Sequence, residues 1–219
     1  MKDLCAIIAG GDMNDAYPLT SKELFNDFKC VICADSGYKH AKRLGIVPDI
    51  IVGDFDSYDG ELPQNVEIIR SVPEKDDTDT LMAVKKAIEI GCKTIFLFGA
   101  LGGKRIEHTI ANIQTMIYAH EQGCRIYIRS DDSILRTQSA EDGEVKYNNN
   151  SNGKYISVFA LTESVDIEYM RGLKYPLENY RMVQSFPIGV SNEIIGKSAC
   201  IKVKSGLALV IETNKNLST

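Results

Sequence analysis

Three loops hold the residues whose types and spacing could do chemistry. In PDIIVGDFDS, residues 48–57, Asp54 and Asp56 follow directly on an apolar run. Carboxylates two apart on extended chain point the same way. Without a cation they would repel one another, and hard oxygen donors of this kind suit Mg²⁺. From Asp54 to Asp79, nine acidic residues stand against Arg70 and Lys75 alone. EKDDTDTLMAVKKAI, the second loop, runs into a helix. Thr78 is a capping candidate there, with Asp76 and Asp77 as alternatives, and Asp79 falls in the first turn, where a negative side chain is favoured. Lys75, a flexible point charge, suits a phosphate.

The third loop, FGALGGKRIEHTIANI, joins a strand to a helix. Gly99, Gly102 and Gly103 let backbone approach a ligand closely, and amides at the following helix end favour anions. Arg105 supplies a rigid multi-donor fork for phosphate or carboxylate. Glu107 and His108 are placed to orient substrate, water or metal, and Asn112 lies one helical turn beyond His108 on a shared flank. In ICADSGYKHAKRLG, Asp35 and Ser36 end a strand. Asp35 there suits a ribose hydroxyl, a proton or a helix cap, and His40 is expected to show one face to solvent.

Taken singly, each acidic residue is also an ordinary turn former. Convergence separates the readings: in a doubly wound sheet, loops after different strands meet above the carboxyl edge. The elements expected to do this positioning are legible. Up to residue 129 a rhythm of short β-rich run, turn and helical stretch repeats, with strands at 4–9, 30–34, 50–52, 66–70, 94–98 and 125–129. Near-continuous apolar runs mean a mostly parallel sheet covered on both faces. SKELFNDF, SGYKHAKRLG, DTLMAVKKAIEIG and IEHTIANIQTMIYAHEQG read as helices, three of them closed by Gly45, Gly91 and Gly123. Leu81, Val84 and Ile88 form one apolar stripe and Ile106, Ile110, Ile113 and Ile117 another, both expected to face the core.

Beyond Asp131 the helices stop. Short runs separated by Gly, Asn, Ser and Pro read as an antiparallel all-β sandwich. The fold expected is α/β, with an N-terminal mostly parallel, Rossmann-like sheet and flanking helices over residues 1–130. A C-terminal all-β sandwich follows over 131–219.

Composition narrows the function classes. A chain of 219 residues hides roughly 70% of its unfolded surface on folding and needs no staple. A net charge of -5 and a pI near 5.3 argue against nucleic acid or an anionic membrane as partner. Only about six apolar residues precede Gly10-Gly11, too few for a signal peptide or a spanning helix. The cysteines sit in or beside apolar runs, as buried free thiols do, and a cytoplasmic setting is expected. Cys30-x-x-Cys33 lies on a strand, where i and i+3 face opposite ways, and no second pair completes a zinc site. Gly196-Lys197-Ser198 lacks the first glycine of a phosphate loop, and AGGDMND lacks dinucleotide-fingerprint spacing. What remains is an Mg²⁺-assisted enzyme acting on a phosphate-bearing substrate, by phosphoryl or nucleotidyl transfer.

The chain resembles the thiamine pyrophosphokinase family. ADSG at 34–37, PDIIVGDFDS at 48–57, KDDTDTLMA at 75–83, GALGG with RIEHTIAN at 99–112, GLKYPL at 172–177 and SN at 191–192 occur in the family's order. The resemblance implies pyrophosphoryl transfer from ATP to the hydroxyl of thiamine, giving thiamine diphosphate and AMP. It also implies a homodimer with sites near the subunit interface. On that pattern Asp54, Asp56 and Asp79 hold magnesium, Asp35 joins the catalytic pocket, and Arg105 with the glycine loop meets the nucleotide phosphates. Lys75, Thr78, Gly102, Gly103, Glu107, His108 and Asn112 complete the cofactor side, and Ser191 with Asn192 hold thiamine. An aromatic wall of Tyr or Phe is expected against the cationic ring, since the chain has no tryptophan. Two departures stand out: Lys104 is inserted after the glycines with glutamate at 107, and Ser36 replaces a common glycine. The rival readings are another Mg²⁺-dependent phosphotransferase, a nucleoside-triphosphate hydrolase, and a non-catalytic thiamine or metal sensor.

Overall fold

A computed structural model describes residues 3–13, 25, 27–54, 63–71, 77–151 and 153–215. The chain divides into two compact units, Met1–Asp131 and Asp132–Thr219. The first is α/β. Its strands are β1 (Leu4–Ile8), β2 (Cys30–Ala34), β3 (Ile50–Gly53), β4 (Glu67–Arg70), β5 (Thr94–Phe98) and β6 (Arg125–Arg129). The helices among the described residues are α1 (Gly37–Leu44), α2 (Asp79–Glu89) and α3 (Ile106–Glu121). SKELFNDF lies largely outside the described residues.

The six strands are parallel, in the order β6-β5-β1-β2-β3-β4. Every residue of β2 and β3 is buried, which accounts for their unbroken apolar sequence, while the edge strand β4 is exposed at both ends. The chain lays down β1 to β4 towards one edge and returns with β5 on the other side of β1. The direction of winding therefore reverses between β1 and β5, and a crevice opens above their carboxyl ends. Under the sheet, Phe25, Phe28, Phe96 and Phe98 pack edge-on and stacked with centroids 5.7–6.5 Å apart. The helices stop where glycine was expected to stop them, Gly45, Gly91 and Gly123 all having positive φ.

One expectation is overturned. The isoleucine stripe of α3 is not its core face: Ile106 is 70% and Ile110 55% exposed. The buried face is Asn112, Thr115, Met116 and Ala119, at i, i+3, i+4 and i+7. Periodicity reveals a stripe but not what covers it. Small residues at 115 and 119 allow α3 to approach its neighbours closely, and that turns the bulky isoleucines to the flank. The thiols are free and buried, Cys200 alone being half-buried. Burial pushes the Cys33 thiol up to about 12, as befits an inert core residue.

The second unit is antiparallel, and alternation of buried and exposed positions runs along its longer strands. One sheet orders β12 (Asn192–Glu193), β9 (Lys154–Ala160), β14 (Ala208–Asn214) and β7 (Ser133–Gln138). The other orders β11 (Leu177–Val183), β10 (Ser164–Arg171), β13 (Ser198–Ser205) and β8 (Glu144–Asn148). Their inner faces share one core, with Ile156, Val158 and Val210 meeting Ile167, Ile201 and Val203. Each such side chain stabilises the sandwich by about 1.5–3 kcal/mol. Inside it the Tyr147 hydroxyl donates to Gln138 Oε1 at 2.6 Å, and Gln138 Nε2 donates to the Ile201 carbonyl at 2.9 Å.

Tyr147→Phe removes that donor from a buried acceptor and should cost about 1–3 kcal/mol. The check is a lower urea midpoint at unchanged slope; an unmoved midpoint would mean that water satisfies Gln138.

Candidate active site

The crevice holds a cavity of about 360 Å³. Its wall collects the carboxyl ends of three strands: Ala9 to Gly11 after β1, Ala34 to Ser36 after β2, and Gly99 and Ala100 after β5. Opposite lie Asp77, Thr78, Asp79 and Thr80 at the start of α2, and Gly102 to Arg105, His108 and Asn112 at the start of α3. Since Ser36 precedes α1, the amino ends of three helices meet at one cavity. A helix amino end favours an anion by about 0.3–1 kcal/mol when exposed and about 2 when partly buried. Three acting together outweigh a lone surface ion pair, worth about 0–1 kcal/mol. The arrangement is an α/β crevice whose fixed dipoles favour negative charge.

Each wall residue is set locally. Asp35 has φ 49°, a left-handed conformation that costs a non-glycine residue about 1–3 kcal/mol. The Asp35 amide donates to the Val52 carbonyl at 2.7 Å, which holds the strained residue at the mouth. Ser36, in the helical region at φ -62° and ψ -7°, needs no glycine freedom. Thr78 caps α2, its Oγ1 accepting from the Leu81 amide at 3.2 Å, and this leaves Asp79 in the first turn as expected. Asp77 is engaged by Lys85 Nζ at 2.6 Å. Asn112, only 5% exposed, donates from Nδ2 to the Ala100 carbonyl at 2.8 Å and so fixes the turn after β5.

Arg105 and Glu107 pair at 2.7 Å through Nε and Oε1. Both are exposed, and the guanidinium holds the Glu107 carboxyl below its ordinary value. The glutamate reaches back to clip the flank of the arginine fork. His40 shows one face to solvent and packs the other. It is half-buried, with Nε2 2.9 Å from the Gly11 carbonyl and Nδ1 3.3 Å from Arg43 Nη2. A carbonyl only accepts and a guanidinium only donates, so the neutral ring with its hydrogen on Nε2 satisfies both. Burial lowers the pKa of His40, and Arg43 adds to the effect.

Of the residues singled out in the sequence, the cavity brings together Asp35, Thr78, Asp79, Gly102, Gly103, Arg105, His108 and Asn112. Asp54 follows β3 at the same sheet edge, half-buried and outside the lining set. Asp56 and Lys75 lie outside the described residues. Among the described residues no three His, Cys, Asp or Glu side chains are grouped as a metal cage. The carboxylates present are nevertheless hard oxygen donors, and Mg²⁺ characteristically takes one or two of these and completes its shell with water and substrate phosphate.

In the second unit, Ser191 has φ 54° and donates its amide to Ser157 Oγ at 2.9 Å. Asn192 is buried, its Oδ1 accepting from the Tyr175 amide at 3.0 Å and its Nδ2 donating to the Tyr175 carbonyl at 2.7 Å. The side-chain amide thereby holds Tyr175, a residue 64% exposed. Sequence reasoning passed over Gly10, Gly11 and Thr80 in the wall and Tyr175 as a specific aromatic. The glycine pair directly after β1 is the available signal, although it lacks dinucleotide spacing.

Comparison with known proteins agrees with this architecture. Residues 21–128 match the model of the thiamin pyrophosphokinase catalytic domain. Residues 143–208 match that of the thiamin pyrophosphokinase vitamin B1 binding domain. Thiamine pyrophosphokinase of Bacillus subtilis is 29% identical over 214 residues, covering 94% of this chain and 97% of that protein. A crystal structure of thiamine pyrophosphokinase from the same species superposes with a TM-score of 0.81 at 25% identity, covering 97% of this chain and 100% of that one. A thiamin pyrophosphokinase family protein from Enterococcus faecalis superposes with a TM-score of 0.80 at 25% identity, over 97% and 99%. The chain belongs to the thiamin pyrophosphokinase family and is a transferase of that general kind.

The lowered pKa of His40 carries a pH signature. Folding favours the neutral ring, so its contribution is complete above the ordinary value of 6.5 and is lost as pH falls through 6.5 towards the lowered value. The stability lost between about pH 7.5 and pH 5 should be larger in the parent than in His40→Gln, measured by urea denaturation. Equal losses would remove His40 as the sensitive group.

Proposed function

We propose that this protein transfers the pyrophosphoryl group of ATP to the hydroxyl of thiamine, releasing AMP and thiamine diphosphate. The observation that carries the reading is the meeting of three helix amino ends with Asp35 and Asp79 around one cavity, at the reversal of sheet winding. Family membership across both units supports the acceptor. The thiamine hydroxyl oxygen attacks the β-phosphorus, the bond from that phosphorus to the α,β-bridging oxygen breaks, and AMP leaves with the oxygen. The hydroxyl proton passes to a carboxylate, for which Asp35 and Asp56 are the candidates.

Asp79, with Asp54 and Asp56, would hold Mg²⁺, which when bound neutralises phosphate charge. The amides of the glycine loop, Arg105 and Lys75 orient the triphosphate, and Glu107 restrains the arginine so that less freedom is lost on binding. Thr78, His108 and Asn112 shape the same wall. Ser191 and Asn192 act on thiamine, Asn192 by presenting the exposed ring of Tyr175 to the cationic thiazolium. We place the work in a homodimer with active sites near the subunit interface, in the cytoplasm, where free thiols persist.

Incubation with ATP, Mg²⁺ and thiamine, followed by mass analysis, tests the reading. AMP and a diphosphorylated acceptor are expected; ADP would mean a kinase, and phosphate without a new ester a hydrolase. Asp79→Ala should lower kcat by about 10²–10³, the scale for losing a group that stabilises transition-state charge, with the circular dichroism unchanged. Arg105→Ala should raise the KM for ATP about tenfold, or about 1.4 kcal/mol, more than that for thiamine. Parent-like constants in both variants would overturn the assigned roles.

A further inference from the structure

The glycine loop after β5 does not hold its own shape. Gly102 and Gly103 are consecutive residues with φ 72° and 79°, a conformation with no internal ladder to stabilise it. What holds it is the segment after β1. The β1–β5 ladder continues through the Ala9 amide to the Phe98 carbonyl at 2.8 Å and the Gly11 amide to the Gly99 carbonyl at 2.6 Å. The Asp12 amide then donates to the Leu101 carbonyl at 3.0 Å. Finally Asp12 Oδ2 accepts the Gly103 amide at 2.7 Å, a link between residues 91 apart in the chain.

A Cβ on Gly102 would collide with the same carboxylate, so the loop is shaped around Asp12. The segment is itself held from behind by α1. His40 donates to the Gly11 carbonyl, and Arg43 Nη2 donates to the Met13 carbonyl at 2.7 Å. Gly10, Gly11, Gly99, Ala100, Gly102 and Gly103 all wall the cavity, whereas Asp12 stands outside its lining. An acidic side chain facing phosphates would repel them; one behind the loop orders it.

We infer that Asp12 is a positioning residue of the nucleotide subsite: its carboxylate pins Gly103 and thereby sets the loop that presents Arg105 and the start of α3 to the phosphate chain. The inference rests on the nucleotide reading of the cavity given above and goes beyond it by naming a residue that touches no substrate. In Asp12→Ala, hydrogen exchange of the segment 99–105 should quicken about tenfold or more, as expected when a local opening loses its principal restraint. The dissociation constant for ADP, read by calorimetry, and the KM for ATP should each rise about tenfold, with the KM for thiamine within about twofold of the parent. Asp12→Asn keeps an acceptor oxygen and should recover most of the loss.

Parent-like exchange in Asp12→Ala, or parent-like nucleotide affinity, overturns the inference. Failure of Asp12→Asn to rescue does so too, by assigning the effect to charge rather than to the bond. Should Asp12→Ala fold poorly, Asp12→Glu displaces the acceptor by one methylene. It should show the same selective rise for nucleotide, and parent-like values there are equally fatal. Exchange and ADP binding need no turnover, so a parent unable to make thiamine diphosphate would sink the proposed reaction and leave the role of Asp12 separately decided.

Discussion

The gathering of three helix amino ends at one crevice is the constraint around which the first unit is organised. A helix amino end favours negative charge, and here three helices bring theirs to the crevice at the carboxyl ends of β1, β2 and β5. The sheet order creates that crevice: with β1 between β2 and β5, the segments after all three strands reach one edge and wall one cavity, those after β1 and β5 bonded to one another. The preference of the crevice for negative charge is thus a consequence of topology before any side chain is chosen. The side chains then refine it. Asp79 in the first turn of α2 and Glu107 in that of α3 sit where a carboxylate is favoured, Asp79 in the cavity wall and Glu107 paired with Arg105.

Side chains that look chemical often prove to be scaffolding for their neighbours. Asn112 is spent on the Ala100 carbonyl, Asn192 on both backbone groups of Tyr175, and Asp77 on Lys85. The first holds a turn of the cavity wall, the second an exposed tyrosine of the other unit, and the third a neighbouring side chain. The strained residues point the same way. Asp35 and Ser191 are two of the three non-glycine positions with positive φ among the described residues. Each is anchored through its amide, to Val52 and to Ser157. Strain of this kind persists only where surrounding bonds over-determine it.

Much of the fold was legible in the chain. Unbroken apolar runs such as CVICA and IIVG specify strands buried on both faces, and glycines after α1, α2 and α3 mark their ends, because those signals are local and each has one cheap structural solution. Residue-level reading also isolated Asp35, Asp79 and the GALGGKRIEH loop, since hydrophobic packing offers no reason for such mixtures. The isoleucines of α3 misled because a helix can carry an apolar stripe that its own chain does not cover. Asp12 was silent for a different reason: an aspartate after two glycines is unremarkable until the loop it holds is seen beside it.

What the sequence by itself determined is the set of elements, their class and the chemical character of their loops, all of which depend on neighbours within a few residues. Tertiary structure alone decided which loops share a cavity, which face of α3 is buried, and that residues 12 and 103 bond across 91 positions. Those outcomes depend on strand order and on packing between segments distant in the chain. Periodicity carries no record of either.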